Sequence, residues 1–166
     1  MMMLPLLLLN FHWHANAQSQ EKVYAILILN VARGIQWPDH SSMDKLRIGV
    51  LGYPPLVSEL STAATSMRIG SKRIEVTELS NVGEISDLDI LFIPAYKAKS
   101  LPGALEQIGD DPTLIITNKM DLAKKGSGVN FLLVNGKLKY EINCRTIEQR
   151  GMKISASIKG MGIIVN

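Results

Sequence analysis

The chain has a single cysteine, Cys144, and few aromatic residues. One thiol cannot form a disulfide within the chain, so the fold must be stabilised by packing. Aromatic residues make up 5% of the 166 positions, and basic residues form no cluster denser than short pairs such as Lys72-Arg73. Nucleic-acid-binding domains combine a concentrated basic face with stacking aromatics, so this composition argues against nucleic acid as a partner. The length suits one compact domain with a sizeable core.

The motifs of common catalytic and cofactor sites are also missing. Of three histidines, His12 and His14 fall in the first seventeen residues and His40 stands alone. One other His and one Cys at distant positions make neither a zinc site nor, without a G-x-S-x-G elbow, a hydrolase triad. The glycine turns at 49–52 and 126–128 lack the pattern of a phosphate-binding loop. The residues therefore predict no catalytic, cofactor or metal site.

Residues 118–121, Asn-Lys-Met-Asp, have the N-K-x-D pattern by which GTPases recognise guanine. A GTPase also needs a G-x-x-x-x-G-K-[S/T] loop to hold the phosphates and magnesium, and the sequence has none. We therefore interpret this match as coincidence. A hydrolase built on scattered carboxylates stays open as a minor alternative.

Charged residues are missing from the first seventeen positions, MMMLPLLLLNFHWHANA. A short apolar stretch at 4–11, followed by the A-x-A triplet at 15–17, is typical of a secretory signal peptide cleaved before Gln18. The stretch is too short to cross a bilayer, which takes ~20 apolar residues. The usual basic start is missing, which suggests that the true start lies further upstream, and an uncleaved membrane anchor is the alternative. We therefore predict a signal peptide at 1–17, one domain at 18–166, and no membrane insertion after cleavage.

The strongest structural pattern is GSGVNFLLVNGKLKYEIN at 126–143. Two strand-like runs flank Asn135-Gly136, the dipeptide that most readily adopts the positive φ angles of a two-residue turn. Such a turn fixes the register of the hairpin, and the period of two sorts its residues by face. The predicted core-facing side consists of Val129, Phe131, Leu133, Leu138, Tyr140 and Ile142. The opposite side consists of Asn130, Leu132, Val134, Lys137, Lys139 and Glu141.

The other segments alternate between helix and strand patterns. Residues 21–36 predict a helix that is apolar on nearly every face and therefore buried, ended by Trp37-Pro38. The patterns predict strands at 45–52, 72–79, 88–93 and 113–117, helices at 53–65, 99–108 and 145–150, and an apolar tail at 154–165. Together they predict an α/β fold, a layered sheet with a parallel βαβ portion extended by an antiparallel C-terminal hairpin, with helices on both faces.

Two segments resemble the signature segments of YfiR-like proteins. The opening helix of those proteins leads into Trp-Pro, as residues 24–38 do here. Their second signature is a Gly-x-Ile-Asn-Phe strand, a Gly turn and a closing Phe-Glu-Ile-Asn. The residues that carry the resemblance are Asn30, Ala32, Arg33, Ile35, Trp37, Pro38, Gly128, Val129, Asn130, Phe131, Gly136, Tyr140, Glu141, Ile142 and Asn143. Gly34 and Tyr140 depart from the bulkier or more apolar residues of the family.

The resemblance implies a periplasmic α/β domain without enzymatic activity or cofactor. The best-known members bind the periplasmic sensor portion of a membrane-bound diguanylate cyclase and hold the enzyme inactive, which adjusts cyclic-di-GMP and biofilm formation. Related domains serve as extracytoplasmic inputs of histidine kinases. We therefore expect an exported regulator whose partner is the periplasmic portion of an inner-membrane signalling protein. Redox-sensitive disulfides of some members have no counterpart here, and a homodimer stays open because exported regulators often pair.

The predicted partner surface lies near the hairpin and the helix that follows it. We predict that Phe131, Glu141, Asn143 and Arg145 bind the partner. A structural role competes in two cases, because Phe131 can pack in the core and Asn143 can cap the following helix.

The alternative function is a small-ligand sensor that acts with a histidine kinase or a transport system. In open α/β sheets, ligands lie beyond the carboxyl ends of the parallel strands. In this sequence those ends are predicted at 52–53, 94–96 and 117–119.

Overall fold

The computed structural model describes the backbone of residues 14–38, 44–135 and 137–166, and the side chains of this part from residue 20 onward. Most of the predicted signal peptide (1–13), the lone His40 and the turn residue Gly136 lie outside the described residues. The described helices are α1 (His14–Arg33), α2 (Pro54–Ala64), α3 (Leu101–Ile108), α4 (Cys144–Gln149) and α5 (Ala156–Met161). The described strands are β1 (Ile35–Gln36), β2 (Lys45–Leu51), β3 (Arg68–Ile69), β4 (Lys72–Leu79), β5 (Ile90–Ile93), β6 (Leu114–Thr117), β7 (Val129–Val134), β8 (Lys137–Asn143), β9 (Lys153–Ile154) and β10 (Ile163–Val165).

Eight of these strands form one mixed sheet in the order β10-β8-β7-β6-β5-β2-β4-β3. Its central strands β4, β2, β5, β6 and β7 are parallel, and β7 turns back into the antiparallel β8. Strand β10 is parallel to β8, while β3 is antiparallel to β4. The short strands β1 and β9 form a separate antiparallel pair. The predicted α/β fold with a hairpin extension is therefore confirmed.

Helices cover both faces of the sheet because its central strands are apolar on both sides. All four residues of β5 are buried, as its continuous apolar sequence predicts. Ile90 and Phe92 belong to the core shared with α1 and α2, whereas Leu91 and Ile93 belong to the core shared with α3. The carboxyl ends of β2 and β5 lie at a topological switch point, since the chain goes from β2 outward to β4 and returns to β5.

Helix α1 begins seven residues earlier than predicted, at His14, and ends three residues earlier, at Arg33. Its end is set by Gly34, whose backbone N–H donates to Val31 O at 2.9 Å. A Cβ on Gly34 would lie 2.1 Å from Ile158 Cγ1 of α5, so the close approach of these segments requires glycine. The chain then forms β1, which the helical pattern alone did not predict.

The expectation that α1 is buried on nearly every face is wrong. Tyr24, Ile28 and Val31 are buried against the sheet. Val23 and Ile26 are 41% and 51% exposed, because nothing in the described part of the chain packs outside this helix. Helix α1 is therefore apolar on nearly all sides, although only one of its faces is covered.

The predicted apolar tail at 154–165 contains three elements instead of a tail. Part of it forms β9, which pairs with β1, and Ser155 then caps α5 by accepting a hydrogen bond from the N–H of Ile158 at 3.4 Å. The last strand, β10, extends the large sheet beside β8. These elements are two to six residues long, which is too short for a periodic pattern to identify them.

Candidate functional site at the C-terminal hairpin

The register of the β7–β8 hairpin agrees with the prediction at every pair. Val134 lies opposite Lys137, Phe131 opposite Tyr140, and Val129 opposite Ile142. Asn135 has the positive φ angle, 50°, that the turn requires. We call residues 129–131 and 140–143 the hairpin base, and residues 132–135 and 137–139 the hairpin tip.

The base is mostly buried, whereas the tip contains only half-buried and exposed residues, because the neighbouring strand ends between them. Strand β6 pairs with β7 only at Val129 and Asn130, and β7 then continues to Val134 without that neighbour. Leu133, predicted to face the core, is 71% exposed. That prediction is wrong for Leu133, although Leu138 opposite it is partly buried and packs against the core as predicted.

Phe131 lies in the aromatic centre of the core. Its side chain is 1% exposed. The ring stacks on Tyr24 of α1 with centroids 5.7 Å apart, and Phe92 of β5 lies at 6.4 Å. Phe131 therefore joins the hairpin base to α1 and the sheet, and it has no surface to offer a partner in this conformation.

A buried hydrogen-bond network joins the polar face of the hairpin base to the end of β6. The amide oxygen of Asn130 accepts from Thr117 Oγ1 at 2.9 Å and from the backbone N–H of Lys119 at 3.0 Å. Its amide nitrogen donates to Glu141 Oε2 at 3.0 Å. Because Asn130 is fully buried, these bonds satisfy groups that would otherwise cost stability. Glu141 is only partly exposed and is anchored by this network.

Asn143 closes the other end of the hairpin base. Its side-chain oxygen accepts from the N–H of Thr146 at 3.0 Å, which caps α4. Its side-chain nitrogen donates to Ala123 O at 2.9 Å. The hydrogen bond to Thr146 confirms the capping role considered for Asn143 in the sequence, and the residue is buried.

Arg145 lies at the start of α4 with its side chain exposed. Of the four residues predicted to bind a partner, it is the most accessible. Glu141 is half-buried, and Phe131 and Asn143 are buried. Whether any of the four contacts a partner stays a prediction, but the structure separates two surface groups from two structural ones.

The polar face of the hairpin tip is basic. Lys137 and Lys139 project from the same face of β8 as Glu141, and both are exposed. The exposed Lys119 lies in the loop whose backbone bonds Asn130 beneath this face. The tip therefore presents the exposed Leu133 on one side and a group of lysines on the other.

Two tyrosines cover the switch point at the carboxyl ends of β2 and β5. The hydroxyl of Tyr96 donates to the carbonyl oxygen of Gly52, and the rings of Tyr53 and Tyr96 meet edge to face with centroids 5.9 Å apart. Next along this edge, the side-chain oxygen of Asn118 is buried and has no hydrogen-bond partner among the described residues. This edge is where the alternative function places a ligand.

Glu21 and Tyr53 form a polar contact that the sequence did not predict. Glu21 is buried near the N-terminal part of α1, and its carboxylate accepts a hydrogen bond from the Tyr53 hydroxyl. Burial raises the pKa of Tyr53 above the ordinary tyrosine value, and the Glu21 carboxylate adds to the rise. Glu21 stands among the polar residues of positions 18–22, so no signal in the sequence indicated that its carboxylate is buried and needs a donor.

Within residues 14–38, 44–135 and 137–166, no His, Cys, Asp and Glu side chains form a group of three that could hold a metal ion. The lone Cys144 is partly buried. None of the helices described here is both long enough and apolar enough to span a bilayer.

Comparisons with solved structures show the same fold in proteins of very different sequence. An ABC domain in complex with L-Trp from Streptococcus pneumonia superposes with a TM-score of 0.59 at 12% identity, over 87% of this chain and 60% of that one. A conserved domain protein from Vibrio cholerae O1 biovar eltor gives 0.55 at 11%, over 88% and 60%. The chain thus spans about 60% of the length of both structures.

Comparison with curated protein sequences gives no significant match. The family model described as YfiR/HmsC-like matches residues 21–161, from the buried Glu21 of α1 to the end of α5. This range contains both segments on which the resemblance was based, together with the sheet and the hairpin between them. The chain belongs to the YfiR/HmsC-like family.

Proposed function

We propose that the chain is an exported regulator that binds the periplasmic portion of a membrane-bound signalling enzyme, such as a diguanylate cyclase, and represses its output. Membership of the YfiR/HmsC-like family supports this proposal. In it the chain acts by binding, with no catalytic step and no cofactor. Turnover of a substrate by the purified chain would contradict it.

The hairpin tip is the observation on which the proposal rests. The tip extends past the sheet, with Leu133, which is 71% exposed, on one face of the ribbon and the exposed Lys137 and Lys139 on the opposite face. Protein interfaces combine an apolar centre with a polar or charged rim, and a few central residues supply most of the binding free energy. A partner cleft that holds the tip from both faces, with apolar groups against Leu133 and acidic groups against the lysines, matches this arrangement.

The hairpin base supports this surface without joining it. The buried network around Asn130 and the stacked ring of Phe131 hold the ribbon against the sheet. A rigid ribbon loses little conformational freedom on binding, which favours affinity. Glu141 and Arg145 extend the accessible surface from the tip towards α4.

The test is binding of the full chain to the periplasmic portion of a membrane signalling protein, sought first among the products of the neighbouring genes. We expect Leu133→Ser to weaken the affinity by about 2 kcal/mol, roughly thirtyfold, because the tip loses its apolar centre. Lys137→Ala with Lys139→Ala is expected to weaken binding less and to reduce its salt dependence.

The matched control is Ile26→Ser, which removes an equally apolar, 51% exposed side chain from the outer face of α1. This variant is expected to bind as the unchanged chain does. Equal affinities of the Leu133→Ser and Ile26→Ser variants would show that the partner does not use the hairpin tip.

Export is a separate part of the proposal, with residues 1–17 as the signal peptide. We expect the mature N-terminus, read from protein recovered from the periplasm, to be Gln18. This position lies inside α1, so the released domain would keep most of the helix, including the residues that pack on the sheet. Function of the unprocessed chain in the cytosol would contradict export.

A second candidate is the small-ligand sensor, favoured by the buried oxygen of Asn118 at the carboxyl edge, which has no hydrogen-bond donor in the part of the chain that the structure describes. A buried acceptor without a donor costs stability, and a ligand N–H or O–H would satisfy it. Thermal-shift measurements with nucleotides and amino acids test this candidate. A ligand that stabilises the full chain but not its Asn118→Ala variant would support it, and no stabilisation by any of them would count against it.

A further inference from the structure

A groove with a volume of about 290 Å³ lies at the edge of the sheet opposite to the tyrosine-covered switch point. Its position follows from its lining, which includes the first residues of β2 and β4 and the end of α1. The volume is close to the lower end of the range for small-molecule sites, roughly 300 Å³. The residues that supply its apolar walls and its positive charge are Arg33, Ile35, Trp37, Leu46, Ile69 and Lys72.

The apolar walls of the groove are fixed by the fold. Leu46 of β2 is fully buried, and Ile35 and Ile69 are each 8% exposed. Trp37, which is partly exposed, donates from its indole N–H to Asp89 O at 3.3 Å. This bond holds the indole in place at the edge of the groove. A ligand therefore meets an apolar surface that is largely formed in advance.

The charged groups that line the groove are positive. The guanidinium of Arg33 donates a hydrogen bond to the side-chain oxygen of Asn30 at 2.9 Å. Because Asn30 is neutral, this contact does not neutralise the positive charge of Arg33. Lys72 brings a second positive charge, which acts on the buried carboxyl of Asp89 and opposes the rise of its pKa caused by burial. None of the described residues that line the groove is acidic.

We propose that this groove binds a small monoanion with an apolar body, such as an aliphatic or aromatic carboxylate. The apolar part packs against Ile35, Ile69 and the indole of Trp37, and the carboxylate lies towards Arg33. A guanidinium binds a carboxylate through two parallel hydrogen bonds, which makes Arg33 the group that sets both orientation and charge preference. The proposal is independent of the hairpin tip, since the two sites lie at opposite edges of the sheet.

Tryptophan fluorescence gives a direct test. The chain has two tryptophans, Trp13 and Trp37, so Trp13→Phe leaves Trp37 as the only indole. Phenylacetate and hexanoate are titrated into this full-length variant, with phenylacetamide and hexanamide as uncharged probes of the same shape. We expect a saturable change in Trp37 emission with the acids. The amides are expected to bind at least about tenfold more weakly than the acids, because they lose the charge-assisted hydrogen bonds.

Arg33→Gln, added to the Trp13→Phe chain, removes the proposed anion-binding group from an exposed position. It is expected to weaken acid binding about tenfold and to leave amide binding unchanged. Lys99→Gln, which removes an exposed positive charge from the segment that follows β5 at the opposite end of the sheet, is the control and is expected to change neither. Calorimetric titration of the same samples gives a second readout that does not depend on the indole. No binding by either method, equal binding of acids and amides, or an Arg33→Gln variant that binds as well as the control would overturn the proposal.

Discussion

The base and the tip of the β7–β8 hairpin share one alternating sequence pattern but lie in different surroundings. Phe131 at the base is 1% exposed and Leu133 at the tip is 71% exposed, although both point to the same side of one strand. The difference arises because β6 supports the strand only as far as Asn130. An apolar residue in a strand thus serves the core or the surface according to where the neighbouring strand ends.

The largest expected effect separates the base from the tip by stability. Phe131→Ala removes a buried ring that contacts Tyr24 and Phe92, so we expect a loss of about 3–5 kcal/mol in the free energy of unfolding. Leu133→Ala is expected to change it by less than about 0.5 kcal/mol. Urea denaturation of both variants measures the difference, and similar losses would mean that the tip is packed in solution.

The polar end of the base gives the next largest effect. Asn143→Ala removes the cap of α4 and the shorter of two hydrogen bonds that the Ala123 carbonyl accepts, the other coming from the Gly126 N–H at 3.4 Å. We expect a loss of about 1–3 kcal/mol from these two contacts. Asn135→Gly at the tip is the matched asparagine control, expected within about 0.5 kcal/mol because glycine tolerates the positive φ angle at that position. If the two variants unfold at the same urea concentration, the cap does not stabilise the base.

Glu141 of the base and Arg145 of α4 are the two accessible residues of the predicted partner surface. Glu141→Ala leaves the buried amide nitrogen of Asn130 without its acceptor, for an expected loss of about 1–2 kcal/mol. Glu141→Gln keeps an acceptor oxygen and is expected to recover most of this loss. Arg145→Ala is expected to leave unfolding unchanged within about 0.5 kcal/mol while weakening partner binding. Loss of stability in Arg145→Ala, or none in Glu141→Ala, would reverse the assignment of the two residues.

The smallest effect concerns alkaline pH. Burial raises the pKa of Tyr140 above the ordinary value of 10.0, so the folded chain holds this proton more tightly than the unfolded chain does. The stability from this group is fully present below pH 10.0 and decreases as the pH rises towards the higher folded pKa. We expect Tyr140→Phe to match the unchanged chain at neutral pH and to lose less stability above pH 10.0. Parallel pH profiles of the two chains would show that the Tyr140 hydroxyl is solvated.

The central part of the fold could be predicted from local patterns. Strand β4 has the predicted bounds, and β2 and β6 differ from the prediction by one residue at one end. Each of these strands has a strong period or a continuous apolar run, and glycine or proline stands near its ends. The hairpin register could also be predicted, because a two-residue Asn-Gly turn and a period of two leave one pairing.

The candidate site was only partly predictable. Asn143 and Phe131 carry roles that their residue types suggest, a cap and a core ring, and the structure confirms both. The bond of Glu141 to Asn130 needed the hairpin register as well as the residue types. The contact of Glu21 with Tyr53 joins residues 32 positions apart, which no local pattern relates.

The sequence by itself determined which residues form the ribbon, which of its faces is apolar, and that packing without disulfides must stabilise the domain. Only the tertiary structure decided how far the core extends along the ribbon, which face of α1 is covered, and that Arg33, Trp37 and Lys72 surround one groove. The physical reason is that periodicity is a property of consecutive residues, whereas burial depends on neighbours supplied by distant parts of the chain.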